Sequence, residues 1–281
     1  MRIRDFILAA FAIVAMVPCA LYADIVIENN LDGTTGTGGA FQLLTNSSTA
    51  AHTFDATTGV VSVAGAVQGN GQSSTNAAGF NNVSLAALGA DVESITATFV
   101  ISSVEDVLAT RSNGFFLGLA TGAGATDPSG AGLFNNTAAS VGLRFNSGNE
   151  PGTPLLVTQV ITEGAAGGAT SLQDAATLPT VESIEDGFTF VITLNNDGTV
   201  DASTTGLSTE IALTGGTLAD PSFADFLADG VGVTTSFQGG LGGFTVDSVT
   251  VHAAVPVVVP EPSSLALLGL ASLGLVTRRR R

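Results

Sequence analysis

The densest acidic cluster in the chain is the segment Glu-Ser-Ile-Glu-Asp at residues 182–186, just before a predicted strand. Hydrolysis of a glycosidic bond uses two carboxylates at a defined separation, so Glu182 and Glu185 are the residues that could do this chemistry. The acids do not alternate along one strand, and Gly187 follows directly. The pattern favours a solvated loop, and a glycoside hydrolase is the weakest of three hypotheses for the function.

Nucleophilic catalysis requires a base beside a nucleophile. The chain has two histidines, His52 and His252, and no Gly-x-Ser-x-Gly segment. His52 lies in a polar stretch, and we predict that His252 ends the last strand, which makes both surface or edge residues. We assign no catalytic residue and predict that the protein is not an enzyme.

Calcium is the one cofactor that the sequence suggests. Asp127, Asn135 and Asn136 fall in one predicted loop, and their side-chain oxygens are ligands that Ca²⁺ accepts. The segment at residues 195–198, Asn-Asn-Asp-Gly, resembles part of an EF-hand loop. Thr193 and Thr204 stand where that loop needs Asp and Glu, so we interpret the segment as a hairpin turn.

The charge is strongly unbalanced. All of the 24 acidic residues except Asp5 and Glu261 lie in residues 24–259, where only Arg111 and Arg144 are basic. This balance excludes the electrostatic footprint of a nucleic-acid-binding protein. It favours either a solvated acidic surface or the binding of divalent cations.

The N-terminus has the organisation of a signal peptide. Arg2 and Arg4 precede an apolar run at residues 6–17, which is too short to span a membrane. Ala23 supplies the small residue before a cut, so we predict cleavage by signal peptidase after Ala23, with residues 1–23 removed. Pro18 before Cys19 argues against a lipobox, and the only cysteine leaves with the peptide.

The C-terminus has three parts in order. Pro260, Glu261 and Pro262 are followed by an apolar segment at residues 265–276 and by four arginines, Arg278, Arg279, Arg280 and Arg281. As a helix the apolar segment is about 18 Å long, against a hydrocarbon core of about 30 Å, so it is a marginal membrane anchor. The arginines hold this end on the cytoplasmic side, as Arg2 and Arg4 hold the start, and the body then lies across the membrane.

This tail resembles the PEP-CTERM sorting signal. The resemblance implies recognition by an exosortase, with Pro260, Glu261 and Pro262 as the recognition and cleavage motif. It also implies a passage from the inner membrane to the cell surface or the extracellular matrix. The alternative is a plain tail anchor behind a proline-rich spacer.

The body, residues 24–254, shows the two-residue period of half-buried strands. Mainly apolar, β-branched or aromatic residues recur at every second position around residues 95–101, 115–119, 141–145, 188–194, 231–237 and 244–250, and shorter signals occur at 25–27, 53–55 and 60–63. Asp220 and Pro221 predict one short helix, as its N-cap and first residue. We predict an all-β fold, an antiparallel two-sheet sandwich of the jelly-roll type, joined to the tail at residue 260 by a linker, residues 255–259.

The order of these strands over residues 90–252 resembles the concanavalin A-like lectin and glucanase fold, which includes LamG-like domains. The resemblance implies polysaccharide as a partner, with or without the assistance of calcium. However, the chain has no tryptophan, and Tyr22 lies in the signal peptide, so aromatic stacking on a sugar falls to phenylalanine. We therefore favour an exported, non-catalytic surface or matrix protein, with a lectin-like carbohydrate-binding module as the alternative.

Overall fold

The computed structural model describes residues 21–29, 42–45, 51–55, 60–64, 76–79, 84–86, 91–105, 114–121, 140–146, 157–164, 168–174, 177–238 and 243–256. The chain divides into two compact units. One unit is Ala23–Ala254, and the other combines Met1–Tyr22 with Val255–Arg281.

Within the described residues the chain forms fifteen strands and two short helices. In chain order the strands are β1 (Leu21–Asn29), β2 (Gln42–Thr45), β3 (Ala51–Asp55), β4 (Val60–Ala64), β5 (Asn76–Gly79), β6 (Ser94–Glu105), β7 (Gly114–Ala120), β8 (Ser140–Asn146), β9 (Val157–Gly164), β10 (Gly168–Asp174), β11 (Phe188–Asn195), β12 (Thr199–Thr205), β13 (Ala212–Thr217), β14 (Gly232–Gln238) and β15 (Gly243–Pro256). The helices are α1 (Val181–Glu185) and α2 (Phe223–Asp229).

The strands form two antiparallel sheets, as predicted. Sheet A has the order β13-β12-β11-β6-β15-β4-β3, with β1 paired to β15. Sheet B has the order β10-β9-β8-β7-β14-β5-β2. Between β6 and β11 of sheet A the chain forms β7, β8, β9 and β10 of sheet B. The two neighbouring strands β6 and β11 are therefore distant in sequence.

The core lies between the two sheets. Phe99 and Phe190 pair across β6 and β11 with their ring centroids 5.8 Å apart. Phe145 of sheet B meets Phe188 of sheet A edge to face at 5.4 Å. These contacts show which side of each strand points inward, because side chains alternate between the two faces of a strand.

Strand β7 departs from the predicted alternation. Its side chains are buried without interruption from Phe116 to Ala120, and Phe116 on the outer side is 0% exposed. The run of consecutive apolar residues in this strand is typical of burial on both faces. The outer side of sheet B is therefore enclosed at its centre.

The predicted loop at residues 182–186 is wrong, because most of it forms α1. Thr180 caps this helix by accepting a hydrogen bond from the Ser183 amide at 3.3 Å, and Ser183 donates its own hydroxyl to the Thr180 carbonyl at 2.8 Å. Ile184 turns into the core at 1% exposure. Burial of the Ile184 side chain stabilises this helical turn, which the acidic composition of the segment did not indicate.

The predicted helix near residue 220 exists as α2, but its predicted cap is wrong. Ser222 is the N-cap, and Asp225 accepts hydrogen bonds at 2.7 Å from both the Ser222 amide and the Ser222 hydroxyl. The residue three positions after Asp220 is Phe223, which cannot return such a bond. The reciprocal pair therefore sets the start of the helix two residues after Asp220.

Candidate functional site

The predicted sorting and cation residues lie outside the described residues. This applies to Pro260, Glu261, Pro262 and the four terminal arginines, to the apolar segment at 265–276, and to Asp127, Asn135 and Asn136. Among the residues that the structure describes, no helix is long and apolar enough to span a membrane. Ala23 falls in β1, so cleavage after it would remove the first three residues of that strand.

The candidate acidic and histidine residues do not assemble into a described site. Glu182 is exposed on α1, and no group of three or more His, Cys, Asp or Glu side chains in the described ranges could hold a metal ion. His252 does not end its strand, because β15 continues to Pro256. His52 pairs with Val63 at the far end of sheet A, about 30 Å from His252 along the strands.

The outer side of sheet A is an accessible surface of the sandwich. Four adjacent strands, β15, β6, β11 and β12, present side chains there in register. The first row consists of His252, Thr96, Thr193 and Asp201. The second row consists of Thr250, Thr98, Val191 and Ser203. All eight are half-exposed or exposed, and we call them the hydroxyl face.

The hydroxyl groups of this face retain capacity for a further partner. Thr96 and Thr193 share one hydrogen bond between their Oγ1 atoms at 3.0 Å. A hydroxyl has one donor and two acceptor positions, so this pair still offers a donor and acceptors toward solvent. Their β-branched side chains are restricted at χ1, which holds these groups in place.

One end of the hydroxyl face opens into a shallow depression of about 240 Å³. It is lined by residues of β11 (Val191, Thr193), of β12 (Asp201, Ala202, Ser203) and of the edge strand β13 (Ala212, Leu213, Thr214). The pairing of β12 with β13 shifts register between Val200 and Ala202. The shift lies at Asp201 and accompanies the depression.

Asp201 is fixed at this depression by two hydrogen bonds. Its Oδ1 accepts from the Gly215 amide at 2.8 Å, and its Oδ2 accepts from the Asn195 side-chain amide at 3.1 Å. A carboxylate has about four lone-pair positions, so each oxygen can accept one more donor. The carboxylate is thus an oriented acceptor for hydroxyl donors.

The hairpin beside the depression is the turn that the sequence predicted. The Gly198 amide donates to the Asn195 carbonyl at 3.0 Å, and Gly198 has a φ of 82°. Asp197 accepts from both the side chain and the backbone of Thr199, and these bonds lower the pKa of its carboxyl below the ordinary value of 3.8. The carboxylate therefore stays ionised and closes the turn.

Sequence reasoning missed the hydroxyl face as a site. The alternation predicted that Thr96, Thr98 and Thr193 point away from the core, which is confirmed. It did not show that β6 and β11, 97 residues apart at the Thr96–Thr193 contact, lie side by side. An abundance of threonine at outward positions of several strands is the one signal that pointed there.

Comparison with known proteins gave a family match at one end of the chain and fold matches over its body. Residues 258–281 match the PEP-CTERM protein-sorting motif. The VIP36 exoplasmic/lumenal domain, solved in a Ca²⁺/Man3GlcNAc-bound form, is 8% identical, with 86% of this chain and 94% of that chain covered and a TM-score of 0.50. Peanut lectin is 13% identical, with 85% and 99% covered and a TM-score of 0.48. No curated protein matches the chain.

These findings confirm both resemblances as far as sorting signal and fold. At 8% identity the likeness to the VIP36 domain shows the fold alone. The chain carries a PEP-CTERM sorting motif at residues 258–281, which indicates export and sorting by an exosortase, and its body folds as a concanavalin A-like β-sandwich.

Proposed function

We propose that this protein is a non-catalytic component of the cell surface or extracellular matrix, delivered there through its C-terminal tail. The observation that carries the proposal is the match of residues 258–281 to the sorting motif. Signal peptidase removes residues 1–23, and the apolar segment at 265–276 holds the chain in the inner membrane for a time. An exosortase then cuts at Pro260–Pro262 and releases the sandwich.

The surface of the sandwich supports a non-catalytic role. The accessible face of sheet A offers hydroxyl groups and one carboxylate whose oxygens are already hydrogen-bonded. Acid–base catalysis of glycoside hydrolysis needs a second carboxylate at about 5–10 Å. No second acid occurs in the two rows of this face.

The proposal is tested on the native protein in its own cells. Intact mass and membrane fractionation are compared between wild type and a triple variant, Pro260→Ala, Glu261→Ala and Pro262→Ala. We expect wild type to lose about 20 residues from its C-terminus and to leave the membrane, whereas the variant keeps them and stays. Retention of Arg278–Arg281 in both forms would show a plain tail anchor and remove the proposal.

We propose polysaccharide binding as a second candidate function. It is favoured by the hydroxyl face and its depression, on a fold shared with a domain that was solved with Ca²⁺ and an oligosaccharide bound. Asp127, Asn135 and Asn136 are the residues that we propose for calcium, should binding depend on it. Retention of the protein on polysaccharide, with and without a chelator, decides between calcium-assisted and calcium-independent binding.

A further inference from the structure

We infer that the hydroxyl face of sheet A, with the depression at its β13 end, is a docking site for an uncharged polysaccharide chain and that this binding does not require calcium. The inference rests on the second candidate function and adds a location and a ligand chemistry to it. The residues that carry it are Thr96, Thr193, Val191, Asp201, Ser203 and Ala212.

The geometry of the face fits an extended ligand. Its rows run across the strands, which lie about 4.8 Å apart, so four strands give a polar track about 14 Å long. The two rows are about 7 Å apart along the strands. A chain of sugar units laid along a row meets an oxygen from a side chain at nearly every strand.

The depression supplies the second element that a sugar ring needs. Val191 offers half-exposed apolar surface and Ala212, which pairs with Ser203, adds an exposed methyl group, and Thr193, Ser203 and Asp201 surround them with donors and acceptors. A pyranose ring has apolar C–H faces and a rim of hydroxyls. Small-molecule sites combine these features in the same way, with an apolar lining and a few placed polar groups.

The negative charge of the body restricts the class of ligand that can bind to this face. Residues 24–259 carry all but two of the 24 acidic residues against two arginines, so an anionic polymer or a second copy of this chain would be repelled. The two rows contain no arginine, so they offer no pairing for a carboxylate or sulfate group. A cationic partner would be drawn to the acids elsewhere on the surface rather than to this face. An uncharged polyol is not repelled by the acidic body and needs no arginine for its binding.

Calcium has no part in this site. Asp201 is its only acid, and the described residues contain no cluster that could hold a metal ion. With no tryptophan in the chain, each contact is a hydrogen bond or a small apolar contact. Four or five such contacts give a Kd on the order of 1 mM per site, and a polymer lowers the apparent Kd by offering many sites.

The test is affinity electrophoresis of the purified native protein in gels with hydroxyethylcellulose or galactomannan, which are uncharged, and with alginate, which is anionic. Ser203→Arg places a long charged side chain over the depression, and Ala224→Arg adds the same charge on the exposed side of α2. A finer pair is Thr193→Val and Thr189→Val, both outward on β11, with Thr189 outside the two rows and the depression. Thermal unfolding of every variant confirms that it is folded.

We expect retardation by at least one uncharged polymer, in EDTA as well as in calcium, and none by alginate. Ser203→Arg should weaken binding at least tenfold and Thr193→Val about fivefold, while Ala224→Arg and Thr189→Val bind like wild type. Binding that survives Ser203→Arg, needs calcium, or favours alginate would overturn the site while polysaccharide binding itself stood. Absence of binding to every polymer would overturn the inference and the second function together, and would leave the sorting proposal to its own mass measurement.

Discussion

Two glycines with the same backbone requirement and different surroundings give the sharpest test of the packing. Gly187 (φ 94°) joins α1 to β11, and Gly198 (φ 82°) closes the β11–β12 hairpin. A Cβ at Gly187 would lie 2.5 Å from the Ile101 carbonyl oxygen and 2.6 Å from backbone atoms of Ser102. A Cβ at Gly198 would meet nothing within 4 Å.

The expected decreases in the free energy of unfolding follow from that difference in surroundings. Gly198→Ala loses only the freedom of glycine in the left-handed region, about 1 kcal/mol. Gly187→Ala bears the same strain and, in addition, an overlap with β6, which is held between β11 and β15 and cannot move aside. Overpacking of this kind costs about 2 kcal/mol more.

Thermal unfolding at fixed pH, followed by circular dichroism, measures the loss of stability in both variants. For a domain of this size 1 kcal/mol corresponds to a shift in Tm of about 2–4 °C. We expect a decrease of about 3 °C for Gly198→Ala and about 9 °C for Gly187→Ala. Gly215→Ala, with a φ of 69° and no atom within 4 Å, should match Gly198→Ala. Equal decreases at Gly187 and Gly198 would refute the close approach of α1 to β6.

Three further variants test the cap, the turn and the centre of sheet B. Ser222→Ala removes the capping box of α2 and should cost about 1 kcal/mol in urea unfolding, whereas an unchanged midpoint would contradict the assignment of the cap. Asp197→Asn removes a carboxylate whose lowered pKa stabilises the fold above pH 4, so the Tm difference from wild type should shrink as the pH falls through that lowered pKa; a constant difference from pH 6 to pH 3 would contradict this. Gly142→Ala would place a Cβ against the Leu117 carbonyl oxygen and should lower Tm by about 6–12 °C, and a wild-type Tm would show that β7 and β8 lie further apart.

The sequence was sufficient for the fold class because its signals are local. The two-residue period marks β6, β8, β11 and β15, and Asp197-Gly198 marks the hairpin that joins β11 to β12. These patterns depend only on which side of a strand meets the core. These strands can therefore be predicted from the sequence without knowledge of their neighbouring strands.

The strands that the pattern missed take their structure from their neighbours. Strand β13 is rich in glycine and threonine and has no buried side chain, and β5 is Asn-Ala-Ala-Gly. Such segments have weak strand propensity and become strands by pairing with a partner already in place. The same holds for the site, because the hydroxyl face needs Thr96, Thr193 and His252 in one register, which tertiary pairing alone decides.

The lack of lysine in the chain bears on how the sheet edges are protected. Sheets are commonly guarded against edge-to-edge association by lysine on the edge strand, and this chain has none. At one side of the sandwich, the edge strand β10 carries a register shift between Ser171 and Gln173, and the pairing of β12 with the edge strand β13 shifts between Val200 and Ala202. Bulges twist an edge away from a second strand, and Asp201 also occupies the amide of Gly215. The irregularity that accompanies the depression thus also protects the edge, so the ligand site that we infer and the protection of this sheet edge depend on the same local departure from a regular sheet.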